Sequence, residues 1–394
     1  MGRLLFFCLL LTPVVQPATL TVLVVPFHND YQDPELDWIG ESISETLMTE
    51  LGASGQIVLD HASRQKGYQR LGLKSSTLYT KATLVKLGQT LDAAVVCYGS
   101  YQITLPSSDA QVRDGSIKLS ARLLDLRKLR DASQLSESGR LIDLSRLEEH
   151  LAWQAIHSLD PQSSVSADDL LKASKLIRLD AKESYIRGLI ATDPEQKQKW
   201  YEQSAKLDPH YSKPAYELGK LAFNRQDYRQ ASAWFGTIPS TDPLHLEATF
   251  RKGLSCYMAG DYASAERSFR DLLQAAPLNE VLNNLAASES KQNEPSALDD
   301  FRRALDGDDL DPTYNFNLGL LLYRQAKYDE AARHFQAVVE HAPSDQQAEA
   351  LLSKCQQRIP YSSSAGHAPV AERLKENFDL AAFKQLKAML QSSK

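Results

Sequence analysis

The chain has 394 residues, of which 43% are apolar and 24% charged, and its formal net charge is −6. These proportions exclude a chain disordered throughout, a collagen-like repeat and a multi-span membrane protein. The acidic balance argues against a general nucleic-acid binder, which is normally basic, and the length favours two or three domains. The four cysteines, Cys8, Cys97, Cys256 and Cys355, are scattered without a CxxC pair. Neither a zinc cage nor a disulfide framework is expected from them. Cys97 and Cys256 fall in strand-like and helix-like stretches and read as small core residues.

The amino terminus opens with Arg3, then the apolar run Leu4 to Leu11, then Pro13, Gln16, Pro17 and Ala18. One positive charge before a short apolar run is the layout of a secretory signal peptide. The run is shorter than the roughly 20 residues a spanning helix needs. Residues 1–18 are therefore expected to be an export signal, with a periplasmic or envelope-associated mature chain starting near Thr19.

From residue 19 to 160, strand-like and helix-like stretches alternate. Thr19 to Phe27 is short, β-branched and apolar, a buried strand pattern. Trp38 to Leu51 places Ile39, Ile43, Leu47 and Leu51 on one helical face. Strands are expected at Gln56 to Asp60, Ala93 to Ile103 and Ile117 to Leu126. Helices are expected at Thr83 to Leu91 and Leu144 to Leu159. The expectation is a small mixed-sheet α/β domain. Three stretches carry a resemblance: Val25-Pro26-Phe27 followed by Gly40-Glu41-Ser42-Ile43-Ser44, the turn Leu91-Asp92-Ala93 leading into a strand that ends Gly99-Ser100, and Ser120 to Asp125. This region resembles TolB amino-terminal-like and CsgG-like domains. In bacteria the resemblance implies envelope assembly or accessory domains without catalysis.

The second region repeats itself. Gly219, Gly253 and Gly319 are each followed after nine residues by Tyr228, Tyr262 and Tyr328. Then come Ala231, Ala265 and Ala331, next Phe235, Phe269 and Phe335, and finally Pro243, Pro277 and Pro343. Gly219 and Gly253 are 34 residues apart, and this pattern is identified as the tetratricopeptide repeat. Degenerate units are read around Tyr185, Gly188, Tyr201, Leu207 and Pro209, and around Asn284, Leu285, Ala286, Ala297, Phe301, Ala304 and Pro312. The expected order is a linker with leading helix over 161–180 and about five units plus a capping helix over 181–357. A serine-rich linker over 358–369 and a final amphipathic helix over 370–394 follow. A proteolytic hinge is expected at Pro161 to Ser166. The fold class is thus an amino-terminal α/β domain followed by an all-α solenoid.

No catalytic, cofactor-binding or metal-binding residues are assigned. Gly67 to Ser75 approaches a phosphate loop, but Leu73 stands where the lysine belongs. Asp306 to Asp311 lacks the central glycine and terminal glutamate of a calcium loop. The expected function is a non-enzymatic scaffold that binds a protein or peptide and no nucleic acid. The alternative is an accessory subunit of a cyclase- or kinase-type signalling enzyme carried on another chain. In this repeat family the first helix of each unit lines the concave groove. Counting each unit's glycine as position eight puts Tyr216, Phe250 and Phe316 at position five and Phe223, Tyr257 and Tyr323 at position twelve. Seven residues is two helical turns, so the two positions share a face. Leu254 joins this wall, Lys220 and Arg324 flank it, and Asn283 interrupts it in the degenerate unit. An extended or helical peptide with an acidic end is the expected occupant. Each ring could equally serve only to pack.

Overall fold

The structure is a computed structural model that describes residues 19–74, 78–107, 114–173, 177–362, 370–380 and 383. The expected signal segment, most of the serine-rich linker and residues 384–394 lie outside these. The chain divides into two compact units, one up to Tyr211 and one from Ser212 onward.

The first unit is built on one mixed sheet. Strand β1 (Thr21–Val24) pairs in parallel with β3 (Ile57–Val58) and with β4 (Val95–Thr104), and β2 (His28–Asn29) adds in parallel to β4. β4, β5 (Ser116–Asp125) and β6 (Arg130–Arg140) form an antiparallel meander, giving the order β3-β1-β4-β5-β6. Helices α2 (His61–Leu71) and α3 (Lys81–Thr90) cover one face, where Leu23, Val25, Val96 and Leu124 meet Tyr68, Leu84 and Leu87. The alternate residues Val22, Val24 and Cys97 are buried too and point to the opposite face. Helices α1 (Trp38–Ala53) and α4 (Leu144–Leu159) pack there. Burial on both faces explains why β1 reads as a continuous apolar run rather than an alternation.

Glycine at position 40 has a steric reason. A Cβ there would stand 2.0 Å from the Phe27 carbonyl oxygen, and the Phe27 N–H donates to the Gly40 carbonyl at 3.1 Å. The Val-Pro-Phe strand end and the start of α1 are thereby locked together. Besides the two-residue β2, two longer elements have no counterpart in the sequence pattern. The near-phosphate loop is mostly helix: Asp60 caps α2 by accepting from the Ser63 N–H, and Gly72 ends it in the left-handed conformation at φ 63°. Its amides are therefore spent within the helix. Strand β6 is largely polar and is held by its ladder to β5.

Short α5 (Ala167–Ala173) and the hairpin of α6 (Leu179–Ile190) and α7 (Pro194–Leu207) also belong to this unit. α6 packs on α1. The Lys182 ammonium forms a buried ion pair with Glu148 and lies 3.3 Å from both Thr46 Oγ1 and Ser145 Oγ. Glu148 also accepts from Ser42 at 2.7 Å and Thr46 at 2.9 Å. This network staples α6 to α1 and α4. The first repeat-like hairpin thus goes with the sheet, and the unit boundary falls at residue 211 instead of in the expected 161–180 linker.

The second unit is a run of helical hairpins. They pair α8 (Ser212–Asn224) with α9 (Tyr228–Gly236), and α10 (His245–Met258) with α11 (Tyr262–Ala275). α12 (Asn279–Lys291) pairs with α13 (Ser296–Gly307), α14 (Pro312–Arg324) with α15 (Tyr328–His341), and α16 (Gln346–Gln356) closes the run. The sequence marks now have mechanisms. A Cβ at Gly253 would lie 2.7 Å from the Phe269 ring, and one at Gly219 2.6 Å from Phe235. The glycine therefore lets the second helix's phenylalanine lie flat against the first. Ala231, Ala265 and Ala331 are fully buried where the helices cross closely. Asp227 and Asp261 cap the second helices by accepting the Gln230 and Ser264 N–H groups.

One expectation is corrected. Residues 370–379 are not helical. Arg373 and Lys375 each present both backbone groups to asparagines of the hairpin run. Alternate residues facing one side is the period of an extended chain. A helix would satisfy those backbone groups internally but would carry Glu372, Arg373 and Lys375 off the partners described next.

Candidate peptide-binding site

The wall made by the first helices α10, α12 and α14 carries most of the expected groove residues, and the carboxy-terminal segment lies against it. Each position-five ring packs edge-on against its own hairpin's second helix: Tyr216 on Phe235 at 5.6 Å, Phe250 on Phe269 at 5.9 Å, Phe316 on Phe335 at 5.8 Å. The position-twelve rings also pack on their own second helices: Phe223 on Tyr228 and Tyr257 on Tyr262 edge-on, and Tyr323 on Tyr328 tilted. Packing and wall-lining are therefore not alternatives, because a ring has two sides.

The free sides of several rings meet the segment. Phe250 stacks on Phe378 with centroids 4.5 Å apart. The Arg373 guanidinium sits 3.4 Å over the Phe316 ring. The Tyr257 hydroxyl donates to the Glu372 carboxylate at 3.2 Å. Tyr323 instead meets residues ahead of the segment: its hydroxyl donates to the Ile359 carbonyl at 2.9 Å, and its ring meets Tyr361. Leu254 is buried in the same apolar cluster. Among the described residues, no hydrogen bond, ion pair or ring contact joins Tyr216, Lys220 or Phe223 to residues 370–378: Lys220 lies over the Tyr216 ring and pairs with Glu217.

Glu372 is the deepest polar group of the segment, with its side chain 1% exposed. It is held by Arg324, by Lys291 at 2.7 Å and by the Ser290 hydroxyl at 2.7 Å. Burial pushes its carboxyl up, but Arg324, Lys291 and Ser290 act against this and leave it below the usual glutamate value. Arg373 reaches Asp345, which it holds below the usual aspartate value, and Lys375 reaches Asp311.

The backbone of the segment is read by asparagines. Asn317 accepts the Arg373 N–H at 2.7 Å and donates to the Arg373 carbonyl at 2.7 Å. Asn284 does the same for Lys375, both at 2.8 Å. Asn283 donates to the Arg373 carbonyl at 3.2 Å and accepts from Asn317 at 2.8 Å. Asn283, expected in the groove as a break in its aromatic column, contacts the segment's backbone. Asn284, Ser290, Lys291, Asp311, Asn317 and Asp345 were missed. One signal was available: Asn283 and Asn317 stand one repeat, 34 residues, apart.

A different cluster joins Glu266, Glu289 and Glu294, whose carboxylate oxygens lie within 4.8 Å of one another. Arg270 pairs with Glu266 at 2.7 Å and Glu289 at 3.0 Å, so the chain supplies its own cation there. Burial, then Asp300, pushes the Glu289 carboxyl up to about 7 against Ser296 and Arg270. No helix among the described residues is long and apolar enough to cross a membrane.

The family model described as tetratricopeptide repeat matches residues 216–280 and 292–348. Among solved structures, the chain is similar to MamA (41-end) from Desulfovibrio magneticus RS-1, with 23% identity and a TM-score of 0.39, over 43% of this chain and 99% of that one. It is similar to YrrB, described as a TPR protein with an unusual peptide-binding site, at 20% identity and TM-score 0.34, over 40% of this chain and 82% of that one. A third is PilF from Pseudomonas aeruginosa, at 16% identity and TM-score 0.37, over 45% and 85%. No curated protein matches the chain. The hairpins over residues 216–280 and 292–348 are tetratricopeptide repeats.

Proposed function

We propose that this protein is a non-enzymatic scaffold whose first-helix wall, α10 to α14, binds an extended peptide of a protein partner. One observation carries the reading: the wall's asparagines hold both backbone groups of alternate residues in an extended segment. Backbone pairing gives affinity for any extended chain, and side-chain pockets between the pairs give selectivity. The wall's rings and the Lys291–Arg324 pair supply such pockets. The test is a peptide-display screen with the full chain carrying Phe378→Ala, set beside the same chain with Asn317→Ala added. Enriched peptides should be lost with the second change. Peptides retained equally by both chains would refute the groove.

The sheet-bearing unit is read as a TolB- and CsgG-like domain, and the setting as the envelope. The locking of Gly40 on Phe27 supports the first reading, and Arg3 followed by Leu4 to Leu11 supports export. Mass spectrometry of the mature chain should find an amino terminus near Thr19. An intact Met1 on the mature chain would overturn export.

A further inference from the structure

We infer that residues 370–378 are an intramolecular ligand of the repeat groove, and that the outside partner is an extended peptide repeating their pattern: a carboxylate, basic residues one and three positions later, and an aromatic ring six positions later. This rests on the groove reading above and adds the chemistry of the occupant.

The carboxylate is the first element. Lys291 and Arg324 converge from the ends of α12 and α14 on one point, and Glu372 occupies it. Without an anion there, two cations would face each other beside the Tyr257 and Ser290 hydroxyls, which also point at Glu372. A pocket with four donors whose one carboxylate partner, among the described residues, is Glu372 itself is built for an anionic side chain. The aromatic ring is the second element. Phe378 lies against Phe250 at the far end of the contact, next to Asn377, whose side-chain oxygen accepts from Arg251. Between them, the asparagines fix the spacing by gripping residues 373 and 375 through their backbones. The side chains of those residues reach the carboxylates of Asp345 and Asp311.

The segment comes from the same chain. Tyr361 lies under the Arg324 guanidinium, and the Val370 carbonyl accepts from that same guanidinium at 2.7 Å. Tyr361 and Val370, nine positions apart in the sequence, therefore meet at one side chain. A tethered occupant acts at an effective concentration on the order of millimolar. An outside peptide therefore sees its affinity reduced by the fraction of time the groove is open. Partner binding and release of the segment are one exchange.

The experiment titrates a fluorescent synthetic peptide of residues 370–380 against the full chain. Wild type should bind it weakly. Glu372→Ala and Phe378→Ala, made separately in the chain's own segment, should each tighten binding at least about tenfold by weakening the competitor. Adding Arg324→Glu to either should abolish it. Equal affinity for wild type and both segment variants would show that the segment does not compete. No binding to any of them would make it a fixed strap. A concentration-dependent dimer in sedimentation, dissolved by Phe378→Ala, would place the segment in a second copy's groove and overturn the intramolecular assignment. The display screen separates these failures from failure of the groove itself. Peptides that depend on Asn317 but lack the acidic and aromatic pattern would keep the groove and sink the pattern.

Discussion

Replacing Asn317 by alanine measures how firmly the groove holds its segment. The side chain is fully buried and makes three hydrogen bonds: two to the Arg373 backbone and one to Asn283. A net contribution of about 1 kcal/mol each gives a loss of about 3 kcal/mol. The Arg373 carbonyl keeps the Asn283 donor at 3.2 Å, while its N–H loses Asn317 and is the group most exposed to exchange. The two bonds to the segment correspond to about 2 kcal/mol of docking, or roughly a 30-fold gain in local opening. Native-state hydrogen exchange of the Arg373 and Lys375 amides is the assay, with amides of α1 as the internal reference. Protection at Arg373 should fall by about that factor while α1 is unchanged. Unaltered protection at Arg373 would mean the segment is not held as described. An equal loss across all helices of the second unit would mean that Asn317 supports the array and not its occupant.

In the same unit, Gly253→Ala puts a methyl 2.7 Å from the Phe269 ring and should cost about 1–3 kcal/mol of stability in urea unfolding; no loss would show that the hairpin can part freely. Lys182→Met leaves Glu148 buried without its cation and should cost about 3–5 kcal/mol, with Glu148→Gln added in the same chain restoring much of it. A single variant as stable as wild type would remove the staple between α6 and α4. Glu289 has its folded pKa raised to about 7, so its contribution to stability is fully present below the unfolded glutamate range and is lost as pH rises through about 7. Glu289→Gln should therefore gain in melting temperature relative to wild type between pH 5 and pH 8, and parallel pH profiles would contradict that reasoning.

Local rules made much of the fold legible. The run Thr21 to Val25 was readable because a strand buried on both faces is apolar throughout, and α1 because Ile39, Ile43, Leu47 and Leu51 are all fully buried on one helical face. Strand β6 was not readable. Its residues are mostly polar, and what makes it a strand is the ladder to β5, a contact its own composition does not encode. α2 was hidden for the same reason, with Arg64 buried against Glu41 and the Val24 carbonyl where an apolar residue would have signalled a core face.

The repeat fixed its own architecture in sequence, because each glycine, alanine and aromatic acts within one hairpin, over distances a 34-residue period repeats. That period also placed Phe250, Tyr257, Phe316 and Arg324 on one wall. It could not say what the wall holds. Residues 370–378 read as an amphipathic helix, since charge and apolar spacing are local properties and the asparagines that unwind them lie about 56 to 91 residues earlier in the chain. Only the tertiary structure brings Asn284 and Asn317 to the backbone of Lys375 and Arg373 and sets Glu372 between two cations. An extended strand exposes backbone groups that a helix would satisfy internally, so it forms only where another part of the fold supplies their partners.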